Sequence, residues 1–318
     1  MTDGAARAAS PRLVLILSEN GTLWPPGDMR ALVEAAVEAE KAGFDGVMMS
    51  EHVVLGAGAD AEGLPSNPRD YALPGNQDPS TPWPDPLAVL AAAAAVTTRL
   101  RLVASSIIAP LRHPLLLAKQ LATVDLLSRG RLVVQPTVSW HRPEYEALGV
   151  PFAKRGELLD EHLASWRMLW RDSPASFEGT HYRFSDVTLE PKPYRPGGPL
   201  LWFGGETVHP RLLRRLVEYG SGWNPLGRPS DEDLERLGSA MAEAGRDLSE
   251  LEMVGGTRGR FPDAEGVADL GEALASVPAQ LERGFTTICI KPSQFTDDPA
   301  EFGAFCREVV ERVRRLTS

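Results

Sequence analysis

Four polar clusters stand where short apolar runs end. Glu51-His52 follows the run at 44–50, Ser105-Ser106 follows 100–104, Ser139-Trp140-His141 follows 132–137, and Gly204-Gly205 follows 200–203. A histidine at such a junction titrates near neutral pH and passes a proton. Glu51 and His52 are therefore candidate catalytic residues, with a pair that merely anchors a loop as the structural alternative. Small hydroxyl residues at a strand end let a flat ligand approach the backbone. Ser105 and Ser106 suit that role, or else they are simple edge polarity. Gly204-Gly205-Glu206-Thr207 precedes a helix expected near 210–218. Backbone N–H groups at a helix start, with a hydroxyl nearby, make an anion site. Arg211, Arg214 and Arg215 add positive charge on the following turns.

Polar residues at the C-termini of apolar strands mean parallel strands that share one reactive face. Strands are expected at 13–17, 45–50, 100–108, 131–138, 200–204, 221–226, 251–256 and 285–290. Asp28 caps a helix with Leu32, Ala35, Ala36 and Ala39 as its apolar stripe, and Gly43 ends it. Pro114 opens another helix, with Leu117, Leu121 and Val124 on its buried face. Further helices are expected at 155–170 and 300–315.

Eight such units in 318 residues predict an α/β fold, a closed (β/α)8 TIM barrel forming one domain over 1–318. A doubly wound sheet needs a glycine fingerprint after the first strand, and Ser18-Glu19-Asn20-Gly21 is not one. Two insertions interrupt the alternation. Residues 53–86 leave the reactive end of the second strand and carry Tyr71 and Trp83, as a lid or as a loose surface excursion. Residues 173–199, before the fifth strand, read as a small β excursion and an extended tether. Residues 1–10 read as a disordered tail.

A net charge of −10 argues against nucleic acid as a partner. No apolar run reaches the roughly 18 residues of a membrane span, so no membrane partner is expected. Cys289 and Cys306 read as small core residues, and a cytoplasmic setting follows as the default. The six histidines form no familiar metal motif, so no metal is expected. His162 reads as a surface or core residue, His181 as part of the tether, and His209 as a possible ligand contact at a helix start.

An ordered set of fragments then resembles the bacterial luciferase-like superfamily, in its F420-dependent oxidoreductase branch. The set runs from Ala42-Gly43-Phe44-Asp45-Gly46 and Glu51-His52 through Leu111-Arg112-His113-Pro114 and Leu127-Ser128-Arg129-Gly130-Arg131. It continues with Trp140-His141-Arg142, Glu144-Tyr145, Arg155-Gly156, Phe177-Glu178-Gly179, Pro191-Lys192-Pro193, Gly204-Gly205 and Gly222-Trp223. The resemblance implies hydride transfer by reduced coenzyme F420 to or from a small organic substrate. Its alternatives are an FMNH2-dependent monooxygenase of the same fold and an inactive ligand-binding barrel.

It further implies a ring packed against a non-proline cis peptide within 105–107, backed by Ser105, Ser106 and Ile107. Thr137, Ser139, Gly204, Gly205, Glu206 and Thr207 complete the cofactor side; Trp140, His141, Tyr71 and Trp83 form the substrate side. The expected partners are a small-molecule substrate and, in a homodimer, a second copy of the chain. Many relatives carry an alternating glycine run at the end of the fourth strand. This chain has Gln135-Pro136-Thr137-Val138-Ser139 there, which restricts close backbone approach.

Overall fold

The computed structural model describes residues 10–225, 227 and 229–317, so the expected tail lies outside the described residues except for Ser10. Eight parallel strands close into a barrel: β1 (Arg12–Ile16), β2 (Gly46–Met49), β3 (Arg101–Ile108), β4 (Leu132–Thr137), β7 (Leu200–Gly204), β8 (Gly222–Asn224), β9 (Glu252–Gly256) and β10 (Thr287–Ile290). They run in that order around the barrel, and β1 closes it by pairing with both β2 and β10. The remaining two strands, β5 (Ala175–Glu178) and β6 (Arg183–Val187), form a separate antiparallel hairpin within the second insertion.

The helices are α1 (Met29–Ala42), α2 (Pro86–Val96), α3 (Pro114–Leu127), α4 (Arg142–Ala147), α5 (Arg155–Arg171), α6 (Pro210–Tyr219), α7 (Asp231–Glu243), α8 (Leu270–Leu274), α9 (Val277–Glu282) and α10 (Phe302–Thr317). Asp28 caps α1 through the Ala31 N–H. Gly43 ends it at φ 102, where a side chain would be strained, and its N–H returns to the carbonyls of Ala39 and Glu40. Two expected boundaries shift for local reasons. The strand expected at 221–226 stops at Asn224, because Pro225 offers no N–H to a ladder. The last helix begins at Phe302 because 299–301 wind as a tighter 3-10 turn first.

Strand alternation divides the core in two. Val14, Met48, Val103, Val133, Trp202 and Val254 point inward with Cys289 and fill the barrel. Their neighbours Leu13, Leu15, Val47, Leu102, Val134 and Ile288 point outward and pack under the helices. Both cysteines are buried and free, Cys289 in the barrel and Cys306 on α10. Below the inner layer, Arg101 on β3 pairs with Glu252 on β9 at 2.6 Å. The filled interior leaves the C-terminal mouth as the place where polar residues gather. Among the described residues, no helix is long and apolar enough to cross a membrane.

The 53–86 insertion lies pinned across that mouth. Asn67 Nδ2 donates to the carbonyls of Asp263 and Gly266 at 3.0 and 2.9 Å. Arg69 forks onto Asp297, and the Tyr71 hydroxyl donates to the Thr257 carbonyl at 3.0 Å. These ties to the ends of β9 and β10 favour the lid reading over a loose excursion.

Candidate active site

The third strand carries the first element of the site. Ser105 pairs with Gln135 and Ile107 with Pro136, so Ser106 is an extra residue that bulges from the ladder. The Ser105–Ser106 peptide bond is cis, at the place the resemblance implied. Gln135 holds the bulge: its Nε2 donates to Ser106 Oγ at 3.1 Å, and its Oε1 accepts from Asn224 Nδ2 at 3.2 Å. The residue that replaces a glycine run is therefore part of the bulge's support.

Glu51 holds the same bulge from the other side. Its carboxylate accepts from the Ile108 N–H at 2.6 Å and takes a two-pronged contact from Arg112, at 2.7 Å on each oxygen. Neighbouring residues leaving a strand face opposite ways. Glu51 thus turns toward β3 while His52 turns toward the loop. Glu51 is committed to Ile108 and Arg112 rather than to His52, and another carboxylate holds the imidazole.

That carboxylate is Glu144, fully buried on the first turn of α4. Its Oε2 stands 3.3 Å from His52 Nδ1. Its Oε1 accepts from the Val53 N–H at 2.5 Å and the Val54 N–H at 3.4 Å. A carboxylate only accepts, so Nδ1 carries the proton and Nε2 of neutral His52 is left to exchange one. Around His52 stand Trp83 at 5.2 Å between ring centres, Trp140 at 6.0 Å and His141 at 6.4 Å, all edge to face. His141 Nε2 accepts from the Gly56 N–H at 2.8 Å, which requires a neutral ring. Burial pushes the His141 pKa down, with a smaller contribution from His52 in the same direction.

The sequence placed Trp83, Trp140 and His141 with Tyr71 on a substrate side and His52 with Glu51 as catalytic; the structure gathers His52 with Trp83, Trp140 and His141, and adds Glu144, which the sequence offered only within a family fragment and with no role. Sequence reading also missed Glu19 and Lys291 as a pair. The two follow β1 and β10, strands that become neighbours only when the barrel closes. Glu19 accepts from the Ala72 N–H at 3.1 Å. Lys291 donates to the Asp70 carbonyl at 2.8 Å and lies 5.5 Å from the Tyr71 ring centre. Burial pushes the Glu19 pKa up and the Lys291 pKa down, each partly offset by the other's charge. Tyr71 thus stands beside Lys291 and Thr257, while Trp83 and Trp140 stand beside His52.

The Gly204-Gly205 turn differs from the expectation. The Gly205 N–H donates to the Asn224 carbonyl at 3.1 Å, so it is already committed. The helix start lies further on, at Pro210, where His209 Nδ1 accepts from the Leu212 N–H at 3.3 Å. His209 is therefore a cap. Glu206 and Thr207 are exposed between the two. Arg211, Arg214 and Arg215 converge on Asp160 at 3.6, 2.7 and 2.7 Å. Gly204 has a packing reason of its own: a Cβ there would sit 2.6 Å from Gln135 Nε2. The other histidines are structural, His162 buried against the carbonyls of Leu158 and Arg112 and His181 paired with Glu157.

Several buried polar atoms around the mouth have no hydrogen-bond partner: Ser139 Oγ after β4, Thr257 Oγ1 after β9, Ser293 Oγ and Gln294 Nε2 after β10, and Trp83 Nε1 in the lid. Thr137 ends β4 beside Ile108. Unspent donors and acceptors gathered after the strand ends fit a flat heteroaromatic ring with polar edges.

A closed parallel barrel with its polar residues gathered at the C-terminal mouth defines a (β/α)8 barrel of the enzyme type. Residues 11–258 match the luciferase-like monooxygenases, and the chain belongs to that family, whose members are oxidoreductases and monooxygenases. It is 36% identical over 166 residues to the uncharacterized protein Rv0953c of Mycobacterium tuberculosis, 51% of this chain and 58% of that one. It is 29% identical over 214 residues to an FMNH2-dependent dimethylsulfone monooxygenase of Pseudomonas putida, 66% of this chain and 51% of that one. The chain spans about half the length of the curated relatives it matches. In fold, it is similar to an F420-dependent secondary alcohol dehydrogenase solved with an F420–acetone adduct: TM-score 0.66, 17% identity, 96% of this chain and 100% of that one.

Proposed function

We propose that the protein is an F420-dependent oxidoreductase acting on a small organic substrate at the C-terminal mouth of the barrel. The observation that carries this reading is the buried His52–Glu144 pair beside the bulged third strand. A reduced deazaflavin held at the bulge would supply a hydride. The chain's own residues would do the rest. Ser105, Ser106 and Ile107 would back the ring, with Glu51 and Gln135 fixing the bulge from either side. Ser139 and Thr257 offer unspent polar atoms for the ring's edges.

His52 would move the proton that accompanies a hydride. Glu144 fixes its tautomer, and Trp83 and Trp140 keep water from the imidazole. Supplying that proton from Nε2 requires the imidazolium, whose charge Glu144 would stabilise. Accepting one requires the neutral ring, in which the Nδ1 contact to Glu144 leaves Nε2 without a proton. The same pair therefore serves either direction of the reaction.

A second reading, an FMNH2-dependent monooxygenase, is favoured by the activity of the Pseudomonas relative. The bulge and the His52–Glu144 pair suit either ring. Parallel titrations separate the two: F420 fluorescence quenched at micromolar concentration with weaker FMN binding supports the first reading. Tight FMN binding without F420 binding replaces it with the second. Retained folding without binding of either would leave a barrel that has lost this chemistry.

A further inference from the structure

A cavity of about 440 Å³ lies beside the mouth, between the connection from β1 to α1 and the 64–84 stretch of the lid. Its volume falls within the range of small-molecule pockets, ~300–1,000 Å³. Leu17, Trp24, Met29, Leu32 and Leu64 form much of its wall, with prolines from the lid. Most polar groups on the wall are already spent. Asn20 donates to the carbonyls of Ile16 and Ser18 and accepts from the Ser293 N–H. Asp28 caps α1, Asp70 pairs with Arg258 at 2.8 Å, and Asp78 accepts from Ser80.

What is left over is specific. Gln77 is 6% exposed, lines the cavity, and its Oε1 has no partner; Thr22 Oγ1 has none either. At the inner end stand Glu19 and Lys291, each with hydrogen-bonding capacity beyond its one backbone contact. This end adjoins the site: Ser18 on the wall shares a 2.8 Å hydrogen bond with Ser50, two residues before His52, and Pro82 and Pro84 on the wall flank Trp83, whose ring centre lies 5.2 Å from that of His52.

Charge narrows the class of occupant. Glu19, Asp28, Asp70 and Asp78 outnumber Lys291 on the wall, which disfavours an anion. The apolar lining penalises a bare ammonium, because Asp28, Asp70 and Asp78 already have partners. A neutral molecule with a carbon body and one oxygen function meets neither penalty. Its oxygen would find donors and acceptors at Glu19, Lys291 and Gln77.

We propose that this cavity is the substrate compartment, taking an uncharged, mainly hydrocarbon molecule whose single carbonyl or hydroxyl group lies at the Glu19–Lys291 end, toward His52. The proposal rests on His52 as the reacting side, but the compartment itself is tested by binding alone.

Calorimetric titration of the full chain, with and without F420, would compare 2-nonanone, nonanoate and nonylamine. The ketone should bind at least roughly tenfold more tightly than either ion. Leu32→Trp, which fills the cavity, should weaken ketone binding by about tenfold or more. Gln77→Leu, which removes the unpaired acceptor without adding bulk, should weaken binding of 2-nonanol, whose hydroxyl can donate to it, by about fivefold and leave the ketone within about twofold. Circular dichroism checks that both variants fold, and F420 affinity should stay within about twofold in each. Nonanoate or nonylamine binding as tightly as the ketone, no ketone binding, or ketone affinity unmoved in a folded Leu32→Trp would overturn the assignment. Failure of F420 binding with the ketone pattern intact would sink the cofactor reading and leave the compartment standing.

Discussion

Replacing Glu144 with alanine should both loosen the lid and disarm His52. One carboxylate serves three donors: the Val53 N–H at 2.5 Å, the Val54 N–H at 3.4 Å and His52 Nδ1 at 3.3 Å. The group is fully buried, so water does not readily replace it. The Val54 contact is long and contributes little. Leaving the Val53 N–H and the His52 ring unsatisfied costs about 1–3 kcal/mol each. A loss on the order of 3–5 kcal/mol is expected, the range seen when one partner of a buried charged contact is removed. Urea unfolding gives the total. Hydrogen exchange at Val53 locates it, with faster exchange expected at the lid root and little change in β1 or β10. Glu144→Gln supplies the control. It keeps an acceptor for Val53, so most of the stability should return, but its amide places a donor before His52 in one orientation or weakens the acceptor in the other. Turnover should therefore stay low in Glu144→Gln. A stability loss under about 1 kcal/mol in Glu144→Ala, with Val53 still protected, would refute this role for the carboxylate.

Other substitutions probe the remaining links. His52→Ala should lower turnover about 10²–10⁴-fold with cofactor affinity unchanged; a lower melting temperature at full turnover would mark a loop anchor instead. Glu51→Ala should cost about 3–5 kcal/mol in urea unfolding because it leaves a largely buried Arg112 with only its 3.5 Å contact to half-exposed Asp85, whereas the double change Glu51→Leu with Arg112→Met should recover much of that loss. Gly204→Ala should destabilise by about 1–3 kcal/mol, and Gln135→Ala in the same chain should relieve it, since the new Cβ would meet the Gln135 amide. The His141 pKa lies below its unfolded value. Its contribution is therefore fully present above pH ~6.5 and is lost as pH falls toward the folded value, because the unfolded chain takes up a proton that the folded one resists. His141→Gln should flatten that part of the stability profile, measured by urea midpoints across pH 5–8.

Much of the architecture was legible because it rests on local rules. Apolar strand bodies followed by Glu51-His52, Ser105-Ser106 and Trp140-His141 marked the reactive face, and the count of strands gave the closed barrel. Asp28 and Gly43 marked both ends of α1. What stayed hidden depended on contacts between distant segments. Glu144 meets His52 across 92 positions, so the Glu144-Tyr145 fragment could carry the resemblance without showing which residue its carboxylate serves. Glu19 and Lys291 became a pair only through the β1–β10 closure. That closure follows from any eight-strand barrel, so the signal was available once the fold was accepted. The Gly204-Gly205 turn was misread for the opposite reason. Its composition suited an anion, but the neighbouring Asn224 carbonyl claims the Gly205 N–H and Gln135 claims the space beside Gly204. Asp160, on α5, claims the arginines.

A crystal structure of the full chain with F420 tests the central reading most directly. The ring should lie against Ser105, Ser106 and Ile107, with its reacting side toward His52 and the 440 Å³ cavity left free for a substrate. A ring seated away from the bulge, or one that fills that cavity with His52 out of reach, would contradict it.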